Sequence, residues 1–216
     1  MFLYEQYRPN TLAGIIGHEE AKRQLECVFR RGVGGRAFWF GGKSGMGKTT
    51  MGRIVAGLVA DPFFIQEYDS ADDVTGAVID EIAYYMNYGA TGKGGRAYII
   101  NEAHALRGAV VRKLLGVLER IPPKVVFIFT TTLQGQKHLF DNQIDAAPLL
   151  SRCIHIELQT SDALMRAFAQ RAQEIAQAEH LDGQPLSAYL ALANACQGNF
   201  RKMLEEIEKG RMLTCA

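Results

Sequence analysis

Apolar residues recur at helical spacing over about residues 19–31, where Ala21, Leu25, Val28 and Phe29 fall on one face. Gly32-Val33-Gly34-Gly35 ends that pattern, and Ala37-Phe38-Trp39-Phe40 then reads as a short buried strand running into Gly41-Gly42. A helix is expected over about 49–60, stopped by Asp61-Pro62, with a second strand over about 63–68. Asp72 suits the N-cap of a helix reaching about residue 88, and the glycines of 92–95 make a loop. Ala97-Tyr98-Ile99-Ile100 is the next apolar run, and a helix over about 109–120 closes at Pro122-Pro123. The most apolar stretch is Val125-Val126-Phe127-Ile128-Phe129, and a fifth strand is expected over 153–158. Strands that are apolar throughout, alternating with helices, predict a parallel sheet covered on both faces. Beyond about Thr160 the pattern is helical only, over about 161–179, 185–196 and 200–211. The chain therefore divides into an α/β domain over 1–159 and a small all-helical lid over 160–216.

Composition changes this picture little. Of the 216 residues, 48% are hydrophobic and 22% charged, as in an ordinary soluble globular protein. No run of about 18 apolar residues exists, and the first residues lack the basic-then-apolar pattern of a secretory signal. A cytoplasmic protein without membrane contact is expected. Cys27, Cys153, Cys196 and Cys215 are far apart, which argues against a zinc site and for reduced thiols. The formal net charge of +1 carries no signal for or against nucleic acid.

The chemistry starts at Gly42-Lys43-Ser44-Gly45-Met46-Gly47-Lys48-Thr49, which matches G-x-x-x-x-G-K-[ST]. Glycines let the backbone wrap phosphates with its N–H groups turned inward, and the following helix adds its positive end. Lys48 would meet the β- and γ-phosphates, the Thr49 hydroxyl would ligate Mg²⁺, and the loop through Thr50 would hold the nucleotide. The strand before the loop and the helix after it are the context this motif requires. A nucleoside triphosphate is predicted as ligand, ATP with Mg²⁺ first among them.

Such a loop needs a partner at the end of another strand, and Ile99-Ile100-Asn101-Glu102 is the candidate. Glu102 would polarise the attacking water, while Asn101 stands where an aspartate is expected beside the metal. An amide brings no charge, so Mg²⁺ affinity should fall, and hydrolysis should suffer more than binding.

Taken together, these motifs resemble the AAA+ ATPases of the clamp-loader group over about residues 4–211. Tyr7-Arg8-Pro9 with Ile15-Ile16-Gly17-His18-Glu19 looks like their N-terminal stretch, which implies that Tyr7, Arg8, Ile16 and Gly17 surround the adenine. Asn101-Glu102-Ala103-His104 stands at the family's acidic box, and Phe129-Thr130-Thr131-Thr132 looks like sensor 1, with Thr132 as its polar contact. Ser151-Arg152-Cys153 is similar to the family's Ser-Arg-Cys box, which implies that Arg152 reaches the ATP of a neighbouring subunit. Gly198-Asn199-Phe200-Arg201 looks like sensor 2, with Arg201 touching the nucleotide from the lid. Plain alternatives stay open: Arg152 as a surface arginine, Arg201 as an i,i+4 partner of Glu205, the threonines as strand formers, and Tyr7 and Ile16 as packing residues.

The resemblance implies a P-loop AAA+ core with a five-stranded parallel sheet, an ATPase activity, and a homo- or hetero-oligomeric ring with DNA and a sliding clamp as partners. Arg107, Arg112 and Lys113 are candidate DNA contacts, or else a solvated helix face. The sequence ends after the lid, without the helical collar and zinc module that relatives carry, and Asn101 departs from their pattern. A regulatory or scaffold subunit with weak hydrolysis, or a loader or helicase of another AAA+ branch, are the alternatives.

Overall fold

A computed structural model describes residues 1–132 and 146–213. After a short helix α1 (Leu3–Gln6) come α2 (Glu19–Phe29), β1 (Arg36–Gly42), α3 (Lys48–Val59), β2 (Ile65–Tyr68) and α4 (Gly76–Tyr85). The chain continues through β3 (Arg96–Ile100), α5 (Gly108–Leu118), β4 (Val125–Thr131), α6 (Ala146–Ser151) and β5 (Cys153–Leu158). The last part is helical: α7 (Asp162–Ala178), α8 (Leu186–Ala195) and α9 (Phe200–Glu208). Thr160, the expected boundary, lies between β5 and α7, and Cys215 falls outside the described residues.

The five strands form one parallel sheet in the order β2-β3-β4-β1-β5. Its covering follows from the period of two along a strand. Phe38 and Phe40 point into a core shared with α2, α3 and the C-terminal helices. Ala37 and Trp39, the alternate positions, join the core beneath α4 and α5. Every residue of β4 is buried, which is why this strand carries no alternation in the sequence.

Two expectations fail in detail. The second strand begins at Ile65, because Pro62–Phe64 forms a 3₁₀ turn; Pro62 has no N–H to give to a ladder. The following helix is not capped by Asp72. Ser70 Oγ accepts from the Asp72 N–H at 3.2 Å and closes a separate 3₁₀ turn over Ala71–Asp73. The helix restarts at Gly76 under a Thr75 cap, whose hydroxyl accepts from the Val78 N–H at 3.3 Å, and it ends at Tyr85.

Candidate functional site

β1 lies between β4 and β5, so its C-terminal end opens into a crevice at the point where the strand order reverses. The glycine-rich loop occupies that end. Gly47 adopts φ 96° and hands the chain directly to α3, leaving the first-turn N–H groups of the helix without intrahelical partners. Lys48 is 7% exposed, and its ammonium donates to the carbonyls of Gly42 at 3.0 Å and Lys43 at 2.7 Å. Burial pulls its pKa down to about 8, opposed by the nearby Glu102 carboxylate and assisted by Arg201.

The loop faces a cavity of about 430 Å³ walled on its other sides by the N-terminal segment and by α7 and α9. Tyr7, Arg8, Ile16, Ser44, Gly45, Met46, Gly47, Lys48, Thr49, Thr50, Glu102 and Arg201 all line it. Gly17 does not. Its backbone runs so close to α7 that a β-carbon there would fall 2.4 Å from Leu164 Cδ1, so this glycine lets the N-terminal segment lie against the helical part. Lys43 contributes its carbonyl to the Lys48 cradle and is not among the lining residues.

Away from the loop, aromatic and aliphatic residues line the cavity beside arginines. Tyr7 donates its hydroxyl to Glu179 Oε1 at 2.6 Å, and the Arg171 guanidinium sits 5.9 Å from the Tyr7 ring centre. Arg201 lies 5.4 Å from the centre of the Tyr4 ring. His18 sits in the left-handed region with φ 55° and places Nε2 3.1 Å from the Met46 carbonyl. Burial lowers its pKa, so the neutral ring donates to that carbonyl and ties the segment to the loop. Tyr4, Phe168, Arg171 and Leu204 also line the cavity, although no motif marked them, as do His18 and Phe200, which stood inside quoted motifs without a role of their own. They converge from three separate stretches of chain, and no local pattern in the sequence signals such an assembly.

The helical part touches the loop directly. The Phe200 N–H donates to the Gly45 carbonyl at 3.1 Å, and a β-carbon at Gly45 would fall 1.8 Å from Asn199 Oδ1. Only glycine permits this approach, so Gly45 serves the contact with α9 as well as the turn.

At the end of β3, Asn101 is buried and central. Its Oδ1 accepts from Thr49 Oγ1 at 3.0 Å and from Thr130 Oγ1 at 2.9 Å, while its Nδ2 donates to Glu67 Oε1 at 2.9 Å. Glu102 follows with φ 50°, a conformation that costs a non-glycine residue about 1 kcal/mol or more and that turns its half-exposed carboxylate toward the cavity. His104 Nδ1 stands 3.5 Å from Glu102 Oε2 and 3.2 Å from Thr131 Oγ1. The strand-end threonine that reaches the cavity is Thr130; Thr132, one residue past the end of β4, does not line it.

Arg152 is elsewhere. It precedes Cys153, which pairs with Ala37, whereas Gly42 pairs with Leu158 at the other end of the same strands. Cys153, the residue after it, already lies five residues of parallel strand, about 17 Å, from the loop end. Its guanidinium donates to Glu119 Oε1 at 2.5 Å and to the Pro148 carbonyl at 2.9 Å. The neighbouring Cys153 thiol donates to the Leu149 carbonyl at 3.4 Å, and burial pushes its pKa up to about 12, so it is a packing residue and not a reactive thiol.

No family model matches the chain. The chain is 28% identical to the DNA polymerase III subunit tau of Escherichia coli, over 94% of its own length and 33% of that protein's. It is 30% identical to the DNA polymerase III subunit gamma/tau of Mycobacterium bovis, over 61% of its own length and 27% of the relative's. The chain thus spans about a third of the length of the curated relatives it matches. Among solved structures, the Thermotoga maritima RuvB Holliday junction branch migration motor superimposes with a TM-score of 0.72 at 22% identity, covering 95% of this chain and 65% of that one. Among the described residues no helix is long and apolar enough to cross a membrane. The fold is a P-loop AAA+ core followed by a helical part, and by sequence the chain resembles the AAA+ ATPases of the clamp-loader group.

Proposed function

We propose that this chain is an ATP-binding AAA+ ATPase subunit that binds ATP with Mg²⁺ and uses its hydrolysis to remodel or load a DNA-associated partner, in the manner of a clamp loader. The observation that carries this reading is convergence on one cavity: Lys48 and Thr49 from the loop, Glu102 from the end of β3 and Arg201 from α9. Lys48 neutralises phosphate charge, the aromatic residues away from the loop take the base, and Arg201 grips the nucleotide from the helical part. Thr49 and Asn101 would hold Mg²⁺. Their two neutral oxygens, 3.0 Å apart, suit a cation that brings most of its ligands as phosphate and water oxygens. When bound, the ion neutralises charge building on the phosphate oxygens. Glu102 orients the attacking water and accepts its proton.

A ring of subunits, a cytoplasmic setting, and DNA and a sliding clamp as partners belong to the same reading. Of the three basic candidates for DNA, Lys113 is engaged with Asp80 at 2.6 Å. In this reading residues 160–216 act as the lid over ATP bound to 1–159.

Glu102→Gln is expected to leave ATP affinity within about twofold and to lower turnover by about 10²–10⁴. Single-turnover kinetics beside equilibrium titration measure both, and an affinity that falls as far as the rate would contradict a role in water activation. A second reading, a nucleotide-binding scaffold with little catalysis, is favoured by the uncharged Asn101. Turnover with and without DNA separates the two. Brisk wild-type hydrolysis that Glu102→Gln abolishes would sink the scaffold.

Lys48 also predicts a pH dependence. In the free protein burial pulls its pKa down to about 8, and the negative charge of bound phosphates would raise it again. Above about pH 8 binding must therefore take up a proton, so affinity should fall by up to about tenfold per pH unit. Below about pH 7 Lys48 contributes no slope. Calorimetry in buffers of differing ionisation heat would detect the proton uptake, and an affinity flat from pH 7 to 10 would refute it.

A further inference from the structure

Asn101 makes its contacts with three different groups, and one of them decides which way its side chain faces. A carboxamide has two unlike ends. The hydroxyls of Thr49 and Thr130 can each donate or accept, so either end would satisfy them. Glu67 is different. Its ionised carboxylate only accepts, so it can be met at 2.9 Å only by Nδ2, which leaves Oδ1 toward Thr49. Glu67 sits on the neighbouring strand β2 and is itself clamped by Arg53, whose Nε reaches Oε2 at 2.7 Å and whose Nη2 reaches Oε1 at 3.1 Å. The asymmetry is thus imposed from outside the cavity.

We infer that Glu67 is a positioning residue for the cation side of the nucleotide site: it holds the Asn101 amide with its oxygen, not its NH₂, toward Thr49. The inference rests on the ATP–Mg²⁺ reading above. With the amide reversed, its NH₂ would donate to the Thr49 hydroxyl, use one of that oxygen's lone pairs and turn its proton toward the cation. With the amide as it stands, its oxygen takes the proton of the Thr49 hydroxyl and leaves that hydroxyl's lone pairs for the cation. An aspartate at 101 would have two equivalent oxygens and nothing to orient. Glu67 would then stand as a like charge beside it. The acid on β2 and the amide on β3 therefore function as a matched pair, and each has its present value only because of the other.

The test is a double-mutant cycle read as Mg²⁺ dependence, with ATP titrated into the folded protein in the presence of Mg²⁺ and then of EDTA. Glu67→Gln should reduce the gain in affinity that Mg²⁺ gives by about tenfold, the size of one charge-assisted hydrogen bond, while leaving the EDTA affinity unchanged. Arg53→Ala removes the ion pair but keeps the Glu67–Asn101 bond, and should preserve the gain. In an Asn101→Asp background the same Glu67→Gln change should cost nothing, which also controls for any general damage done by losing the partner of Arg53. Equal losses in both backgrounds, or a loss in Arg53→Ala matching that in Glu67→Gln, would overturn the inference and leave Glu67 a structural ion-pair partner. A Mg²⁺ gain that Glu67→Gln leaves intact would overturn it alone, with the nucleotide reading standing. Failure of the unsubstituted protein to bind ATP in either condition would overturn that reading and this inference with it.

Discussion

In the assembled protein, Arg152→Ala is expected to lower ATP turnover by roughly 10³-fold or more, while ATP binding by an isolated subunit stays as it was. The expectation comes from where the residue sits. Arg152 precedes β5 at the end of the sheet away from the phosphate loop, and it does not line its own subunit's cavity. An arginine side chain cannot cross about 17 Å of strand to reach its own nucleotide. Its guanidinium is instead held on an outer edge by Glu119 and the Pro148 carbonyl, with its side chain about a third exposed. In the proposed ring, that location suits a group supplied to the next subunit, where a planar cation would neutralise phosphate charge as the bond breaks. Mixing experiments would read the effect: Arg152→Ala subunits doped into assemblies of Lys48→Ala subunits should recover part of the activity that neither has alone. A variant that loses ATP binding as a monomer would place Arg152 in its own site and end the trans reading.

Lys48→Ala should abolish practical ATP binding, with affinity falling by about 100-fold or more. Removing one partner of a buried charge-assisted contact costs about 2–5 kcal/mol, and each 1.4 kcal/mol is tenfold. The fold should not suffer. Lys48 is buried, and the low pKa of its ammonium, about 8, means the charged form is disfavoured where it sits. At neutral pH that cost offsets the two hydrogen bonds to the Gly42 and Lys43 carbonyls that the substitution removes, so Tm should change little. Equilibrium binding beside thermal melting tests both halves. Lost binding with a little-changed Tm assigns Lys48 to the ligand; a marked drop in Tm would make it a structural residue.

Much of this was legible in the chain because it is local. The phosphate loop is eight consecutive residues between an apolar strand and a helix, and each requirement it meets is set by neighbours in sequence. The strands were legible for the same reason, since a parallel sheet buried on both faces writes itself as continuous apolar runs. Errors came where side chains compete locally for the backbone. Ser70 and Thr75 each capture an N–H and split what reads as one helix starting at Asp72.

What the sequence by itself determined, then, is the phosphate-loop motif and the alternation of strands and helices, because backbone geometry and apolar period act within a few residues. Tertiary structure alone decided which groups share the cavity. Thr130 rather than Thr132 faces it, Gly17 turns toward Leu164, and Phe168, Arg171 and Phe200 arrive from helices far along the chain. It also decided the setting of Asn101. Read in sequence, that residue is an aspartate lacking its charge; in the fold its amide is oriented by Glu67, 34 residues away on the adjacent strand. Hydrogen-bond partners across a sheet are chosen by strand order and register, which no local pattern of residues records.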